Sequence, residues 1–378
     1  MADDVLVPVR VTDGGSARLA WAEGMEFRVP ESFLQLTRLS EHRNSRGDLR
    51  IPSRFSERLP DAAERLRRWA AFTDKPPASA RMPVSYQRVP PWLRAALASV
   101  MGRWQRRRSD RWAAFPQWPL DLSADFLCDL AGDGVTAAAA TPVLLTHDLD
   151  SPEGIANLGR DFLRLEEAAG ARSVSFITPC AWPIDSARLA QVLERGHEIG
   201  VHGYDHSNRT PFLDPIQRRQ RLEDGKRALS QYNVRGYRAP SLLRTSGMLH
   251  DLAELYDFDS SIPTSGGLFP VPNNGCASAR PFQLEGIAEI PLSLPRDGSL
   301  RFLGYSAADI ADLWIQCAER ISRSGGVVVL LTHCEARFSG NQAMLAAYQR
   351  FLDHVAGSSR YTWSKPGDVL GRYLRAGA

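Results

Sequence analysis

Cysteine is scarce in this 378-residue chain and badly placed for pairing. Cys128, Cys180, Cys276, Cys317 and Cys334 are odd in number, widely scattered, and form no CxxC pair. That spacing excludes a disulfide framework and a cysteine zinc site, and it fits reduced thiols in a cytoplasm. No apolar run approaches the roughly 18 residues of a spanning helix. The start, Met1-Ala2-Asp3-Asp4, lacks a basic region followed by an apolar core, so no signal peptide is expected and a cytoplasmic location is. The net charge of +3 is too small to mark a nucleic-acid partner. No GxGxxG or Walker-type loop occurs, which disfavours a nucleotide-binding Rossmann domain. What remains is an ordinary globular composition, 43% hydrophobic and 24% charged, long enough for one large domain or two smaller ones.

Histidine is nearly missing from the first 140 residues, where only His42 of the 8 falls, whereas 6 of the 9 Trp lie there. Aromatic weight with almost no histidine suggests packing, here over a neighbouring site. Strands are expected at 6–11 and 25–29, and helices at 60–72 and 91–104, the latter with Pro91 in its first turn. Arg103, Arg106, Arg107, Arg108 and Arg111 interleave with Trp104 and Trp112. They read as a solvated helix face whose tryptophans pack inward, with a phosphate or anionic-surface patch as the functional alternative. Residues 115–119 read as a linker and 131–140 as a loop.

From residue 141 a period appears. Apolar strand-like runs at 142–146, 173–177, 198–201, 236–239, 258–262, 289–292, 327–332 and 361–364 alternate with candidate helices at 153–169, 184–195, 215–231, 245–255, 306–323 and 341–356. The stretch 263–288 reads as a loop. Such alternation implies βα units and a parallel sheet, and seven or eight repeats favour a closed or nearly closed barrel.

Ionisable residues gather at the ends of these runs. Val143-Leu144-Leu145 leads into Thr146-His147-Asp148-Leu149-Asp150. Two carboxylates at i and i+2 share a face, and each could hold a metal or move a proton. His202 and His206 follow the third run, Arg238 ends the fourth, Asp257 and Asp259 flank the start of the fifth, and His333 ends the seventh. Parallel α/β folds keep their chemistry at this end of the strands. A lone histidine there is more often a hydrogen-bonded core residue. Charge delivered by five strands to one end is costly to bury unless paired or bound to metal. Two histidines and one carboxylate suit a catalytic Zn²⁺, or Fe²⁺, Mn²⁺, Co²⁺ or Ni²⁺.

These motifs, in this order, resemble the polysaccharide deacetylase family, the NodB-homology or carbohydrate esterase family 4 domain, over residues 141 to about 374. Thr146-His147-Asp148-Leu149-Asp150 resembles the His-Asp-x-Asp variant of its first motif. His202 and His206 match its HxxxH pair, Arg238-Ala239-Pro240 its Arg-x-Pro turn, Asp259 its fourth-motif acid, and His333 the histidine that ends its last motif. The better-known members have adjacent acids in the first motif, where Leu149 intervenes here, and His333 is followed by Cys334-Glu335. The resemblance implies a distorted (β/α)7 barrel over 141–378, with residues 1–140 an α+β extension packing on it. It implies Asp148 as general base, Arg238 orienting it, Asp150, His202 and His206 as metal ligands, His333 as general acid, and Asp259 as the charge partner of His333. His197 is expected to be structural, and His147 either structural or supporting the ligands. The implied activity is N-deacetylation of an amino sugar or sugar-containing intermediate, with a saccharide or other small-molecule substrate and no nucleic acid or integral membrane segment. The alternatives are an amidohydrolase of the same fold on a non-sugar amide and a non-catalytic sugar-binding barrel.

Overall fold

The computed structural model describes residues 140–265, 275–276 and 278–374, and upstream the segments 5–7, 9–12, 16–20, 26–30, 45–46, 49–51, 76–81, 89–107, 119–122 and 125. The expected helix at 60–72, His42, Cys128, Arg108, Arg111, Trp112 and Trp118 lie outside these residues, as do most of the 115–119 and 131–140 stretches.

Upstream, strands β1 (Val5–Val7) and β5 (Leu49–Ile51) pair antiparallel, and β2 (Val9–Thr12), β3 (Ser16–Ala20) and β4 (Glu26–Pro30) form a meander. A short helix, α1 (Ala78–Arg81), precedes α2 (Pro91–Arg106), which starts at the proline. Trp104 on α2 is 54% exposed and so does not pack inward as expected.

The main body is a nine-stranded sheet. Its parallel strands are β6 (Thr141–Leu149), β7 (Ser173–Ile177), β8 (Glu198–Val201), β9 (Gly236–Tyr237), β10 (Phe258–Asp259), β12 (Ile287–Glu289) and β13 (Val328–His333). β11 (Phe282–Leu284) makes a hairpin with β12 inside the stretch expected to be loop, and β14 (Tyr361–Trp363) runs parallel beside the first residues of β6. The sheet curls until its ends almost meet. Between the chain after β12 and β13 the gap is bridged by single bonds, Leu294 N–H to Val329 O at 3.1 Å and Val329 N–H to Ser293 Oγ at 2.7 Å, rather than by a ladder. This is the distorted seven-stranded barrel expected.

Side chains divide by the twofold period of the strands. Leu144, Phe176, Phe258, Val329 and Leu331 fill the interior, while Val143, Leu145, Ile177, Ile199, Val328 and Leu330 face the helices. The helices are α3 (Pro152–Asn157), α4 (Leu163–Ala168), α5 (Ser186–Glu194), α6 (Pro215–Ala228), α7 (Ser246–Ala253), α8 (Asp297–Phe302), α9 (Ala307–Ser324), α10 (Gln342–Ala356) and α11 (Pro366–Tyr373). A π-helical turn, Leu158–Phe162, joins α3 to α4. α9 shows why the boundaries fall where they do. Ser306 and Asp309 close a capping box at its start, Gly325 ends it at φ 70°, and Ile310, Trp314, Cys317 and Ile321 bury one face. No helix of the described residues is long and apolar enough to cross a membrane.

Candidate metal centre

The twofold period of β6 puts Thr146, Asp148 and Asp150 inside the barrel and His147 outside. Arg238, fully buried at the end of β9, reaches across to fix the first two. Its Nη1 donates to Thr146 Oγ1 at 2.9 Å and to Asp148 Oδ1 at 3.0 Å. Its Nε and Nη2 donate to Ser260 O and Oγ at 2.8 and 2.9 Å, and the guanidinium lies 4.2 Å from the centre of the Phe176 ring. A planar fork held this way has one orientation. Burial alone would raise the pKa of Asp148, but His202, Arg238 and His333 outweigh it and hold the carboxyl below its usual value.

His202 and His206 leave β8 on a tight loop. Gly203 has φ 66°, and a Cβ there would come within 2.5 Å of the Pro240 ring, so both the backbone and the Arg-Ala-Pro turn require glycine. Asp205 steadies the loop by accepting from Ser207 N at 3.0 Å and Arg221 Nη1 at 3.2 Å. Nδ1 of His202 lies 3.1 Å from Arg238 O. A carbonyl only accepts, so Nδ1 carries a proton; burial would lower the pKa of His202, but Asp148 and Asp150 raise it, and a bound cation would take the place of a second proton at Nε2. That Nε2 lies 3.4 Å from Asp150 Oδ1, and His206 Nε2 lies 3.2 Å from the same oxygen. Yet Asp150 Oδ1 is buried without a hydrogen-bond partner among the described residues. The ligand atoms of the three residues lie within 4.8 Å of one another. Lone pairs converging without hydrogen-bond alignment suit a shared divalent cation, so the residues fit the metal that the sequence suggested. Asp148 stands farther off, its Oδ2 3.6 Å from His202 Nε2.

His333 closes the other side, at the end of β13. Its Nδ1 and Asp297 Oδ1 are 2.7 Å apart, and its backbone N–H donates to Asp297 Oδ2 at 2.7 Å. Gly298 N–H and the Ser339 hydroxyl fill the remaining positions on Asp297 at 2.6 and 2.7 Å. Burial would lower the pKa of His333, but Asp297, reinforced by Asp150 and Asp148, raises it to about 10. With Nδ1 engaged, Nε2 is the nitrogen left for a substrate.

Asp297 was missed in the sequence, and the role expected of Asp259 needs correcting. Asp259 pairs in register with Glu289 on β12 and accepts from Ser261 Oγ at 2.6 Å. Burial, and for Glu289 also the neighbouring Asp259, raises the pKa of both carboxyls. The partner of His333 is the acid that opens α8. The available signal was an Asp in Pro295-Arg296-Asp297-Gly298, just beyond a strand run and at a helix start. His147 points away from the cation site. Its Nε2 is 2.7 Å from Glu166 Oε1 and its Nδ1 2.8 Å from Thr332 Oγ1, behind the sheet. His197 joins the same network at Glu166, its Nδ1 3.5 Å from Oε2, and also meets Ser173 and Glu167. Asp257 makes an exposed pair with Arg235 at 2.5 Å.

No protein-family model matches the chain, and no curated protein matches it in sequence. Solved structures do match in fold. A structure described as a polysaccharide deacetylase of Mycobacterium smegmatis superposes at a TM-score of 0.50 and 21% identity, over 63% of this chain and 91% of that one. The fold is the NodB-homology fold. Two further matches are a Pseudomonas aeruginosa structure described as a polysaccharide deacetylase, at TM-score 0.49 and 14% identity over 62% and 91% of the two chains, and a family 4 carbohydrate esterase from Streptomyces lividans, at 0.41 and 16% over 60% and 94%. In this NodB-homology barrel the gathered residues sit at the carboxyl ends of β6, β8, β9 and β13, the end where parallel barrels keep their chemistry.

Proposed function

We propose that the chain is a metal-dependent hydrolase that removes an N-acetyl group from an amino sugar or a sugar-containing intermediate. The observation that carries this reading is the flanking of the Asp150, His202 and His206 set by two ionisable groups held in opposite states. The Asp148 pKa is lowered by His202 and by Arg238, which bonds its carboxylate, and the His333 pKa is raised by Asp297. Such a separation supports reading one as base and the other as acid. In this reading Asp150, His202 and His206 hold a divalent cation, Zn²⁺ first, with Fe²⁺, Mn²⁺, Co²⁺ or Ni²⁺ as other candidates. When bound, the cation supplies a polarised amide carbonyl and a more acidic water. Asp148 takes the proton of the attacking water. His333 gives a proton to the departing amine, which leaves poorly without one. Arg238 and Asp297 act through these two groups.

Residues 1–140 belong in this proposal to an extension packed on the barrel. Ser79 meets Asn208 beyond the histidine loop, and Arg106 donates to Gly304 O at 2.7 Å behind α8. Asp125 accepts from Ser278 Oγ at 2.6 Å. The test is acetate and formate release from a panel of N-acylated sugars and non-sugar amides, with metal analysis of the same preparation. Release from N-acetyl sugars is expected. Turnover of the non-sugar amides alone would replace the substrate class, and no release from any would overturn the enzymatic reading.

A further inference from the structure

The loop that carries the metal-site carboxylate is tied to the loop that follows the acid by a side chain outside the motifs. Glu335, 2% exposed, lies two residues beyond His333. Its Oε1 accepts from Asp150 N–H at 3.0 Å and from the Ser151 hydroxyl at 2.8 Å. The tie is reciprocal, because Glu153 Oε1 accepts from Ala336 N–H at 3.0 Å and Asn157 Nδ2 donates to Cys334 O at 2.9 Å. The approach is close enough to dictate sequence. A Cβ on Gly154 would come within 2.6 Å of Glu335 Oε1. Ser151 is thereby engaged twice, donating to Glu335 and accepting from Gly154 N–H at 3.3 Å as the cap of α3.

We propose that Glu335 is a positioning residue that fixes the backbone of Asp150, and so aims its carboxylate at His202 and His206. The inference rests on the reading of these three as cation ligands. The physical ground is that Asp150 ends the ladder of β6. Its register partners on β7 and β13 stop at Leu149 and Asp148. Beyond them its N–H has Glu335 as acceptor. An acceptor removed there leaves a buried donor unsatisfied and the loop free to relax. Partners that orient a ligand matter to affinity in just this way, and their loss typically weakens metal binding by roughly 10- to 100-fold.

The test compares Glu335→Ala, Glu335→Gln and Gly154→Ala with the parent, all as full chains. Zn²⁺ affinity is read by chelator competition, and the Co²⁺-loaded absorption spectrum is recorded beside it. Glu335→Ala is expected to lose roughly 10- to 100-fold in Zn²⁺ affinity and to change the Co²⁺ bands. Glu335→Gln keeps an oxygen at the same place and is expected to stay within about threefold of the parent, below the range of losing the contact. Gly154→Ala, which drives Oε1 off by contact alone, should follow Glu335→Ala and decides the matter if that variant does not fold. Parental affinity and spectrum in Glu335→Ala would overturn the proposal. So would a Gln variant as weak as the Ala variant, since charge and not the hydrogen bond would then matter. A parent that binds Zn²⁺ yet releases no acetate would sink the deacetylase reading alone, because neither readout here needs turnover.

Discussion

Asp148 and Asp150 are separated by one residue and by what holds them. Arg238 clamps Asp148, while both histidines approach Oδ1 of Asp150. Asp150→Asn is therefore expected to lose Zn²⁺, since a neutral carbonyl replaces an anionic ligand. Asp148→Asn should keep Zn²⁺ and lose most turnover, because an amide cannot take the proton of water. Metal analysis of the two purified variants, with kcat for each, decides between these roles, and the reverse pattern would exchange them. The histidine beside Asp297 carries a pH prediction. A raised pKa keeps His333 protonated below about 10, and the acid role proposed for it would be lost as pH rises through that value. Asp297→Asn removes the opposing charge, so burial dominates and the alkaline limb of kcat/KM should move down by roughly 1–3 pH units. An unmoved limb would mean that another group sets it. At this scale the Asp150, His202 and His206 cluster was legible because each follows the end of an apolar strand run. Asp297 was not, because it opens a six-residue helix instead, and its contact with His333 is made by the close of the barrel. The direction of His147 could have been read from strand alternation alone, since it stands between the inward-facing Thr146 and Asp148.

Among the elements, the strand runs at 173–177 and 198–201 coincide with β7 and β8 because short apolar runs in a parallel sheet have sharp polar ends. β9, β10 and β12 are two or three residues long, so the runs expected there overreach into loops. The β11–β12 hairpin was missed since its turn uses Glu285 at φ 51° beside Gly286, in a stretch whose composition reads as loop. α8 was missed because six residues show no period. The π-helical turn inside the expected helix at 153–169 has no signature in residue type. The histidine loop yields a test at this scale. Gly203→Ala meets both a positive φ and the Pro240 ring. It is expected to cost more than about 1 kcal/mol of stability and to weaken Zn²⁺ binding, read by thermal unfolding with and without the ion. Unchanged melting in both conditions would show that the loop tolerates a side chain.

At the scale of the molecule, residues before 140 were the least legible, because their aromatics announce packing without saying against what. Two contacts supply part of the answer. A Cβ on Gly102 of α2 would fall 2.1 Å from Phe302 O at the end of α8, the helix that begins with Asp297. Gly102→Val should therefore force the two helices apart, lowering the unfolding temperature and turnover together. Equal melting would show that α2 does not bear on α8. Asp125 gives the second, its carboxyl raised to about 6 by burial, with Arg280 and bonds from Ser278, Ala279 and Ser324 offsetting only part. A folded pKa above the unfolded 3.8 means stability fully present below 3.8 and lost as pH rises through 6, a contribution on the order of 3 kcal/mol. The Asp125→Asn variant should lack that fall when its melting is compared with the parent across the same window. One consequence of the β6 pairings concerns time rather than energy. Val143 needs Val328 on one edge and Trp363 on the other, and Asp150 waits for Glu335, 185 positions later. During synthesis the three cation-site residues emerge long before the strand that completes their neighbourhood, so β6 spends that interval with an open edge. Long-range parallel pairing is slow, and an open edge invites other strands. The nascent chain is thus most vulnerable to aggregation in the interval before β13 has been made.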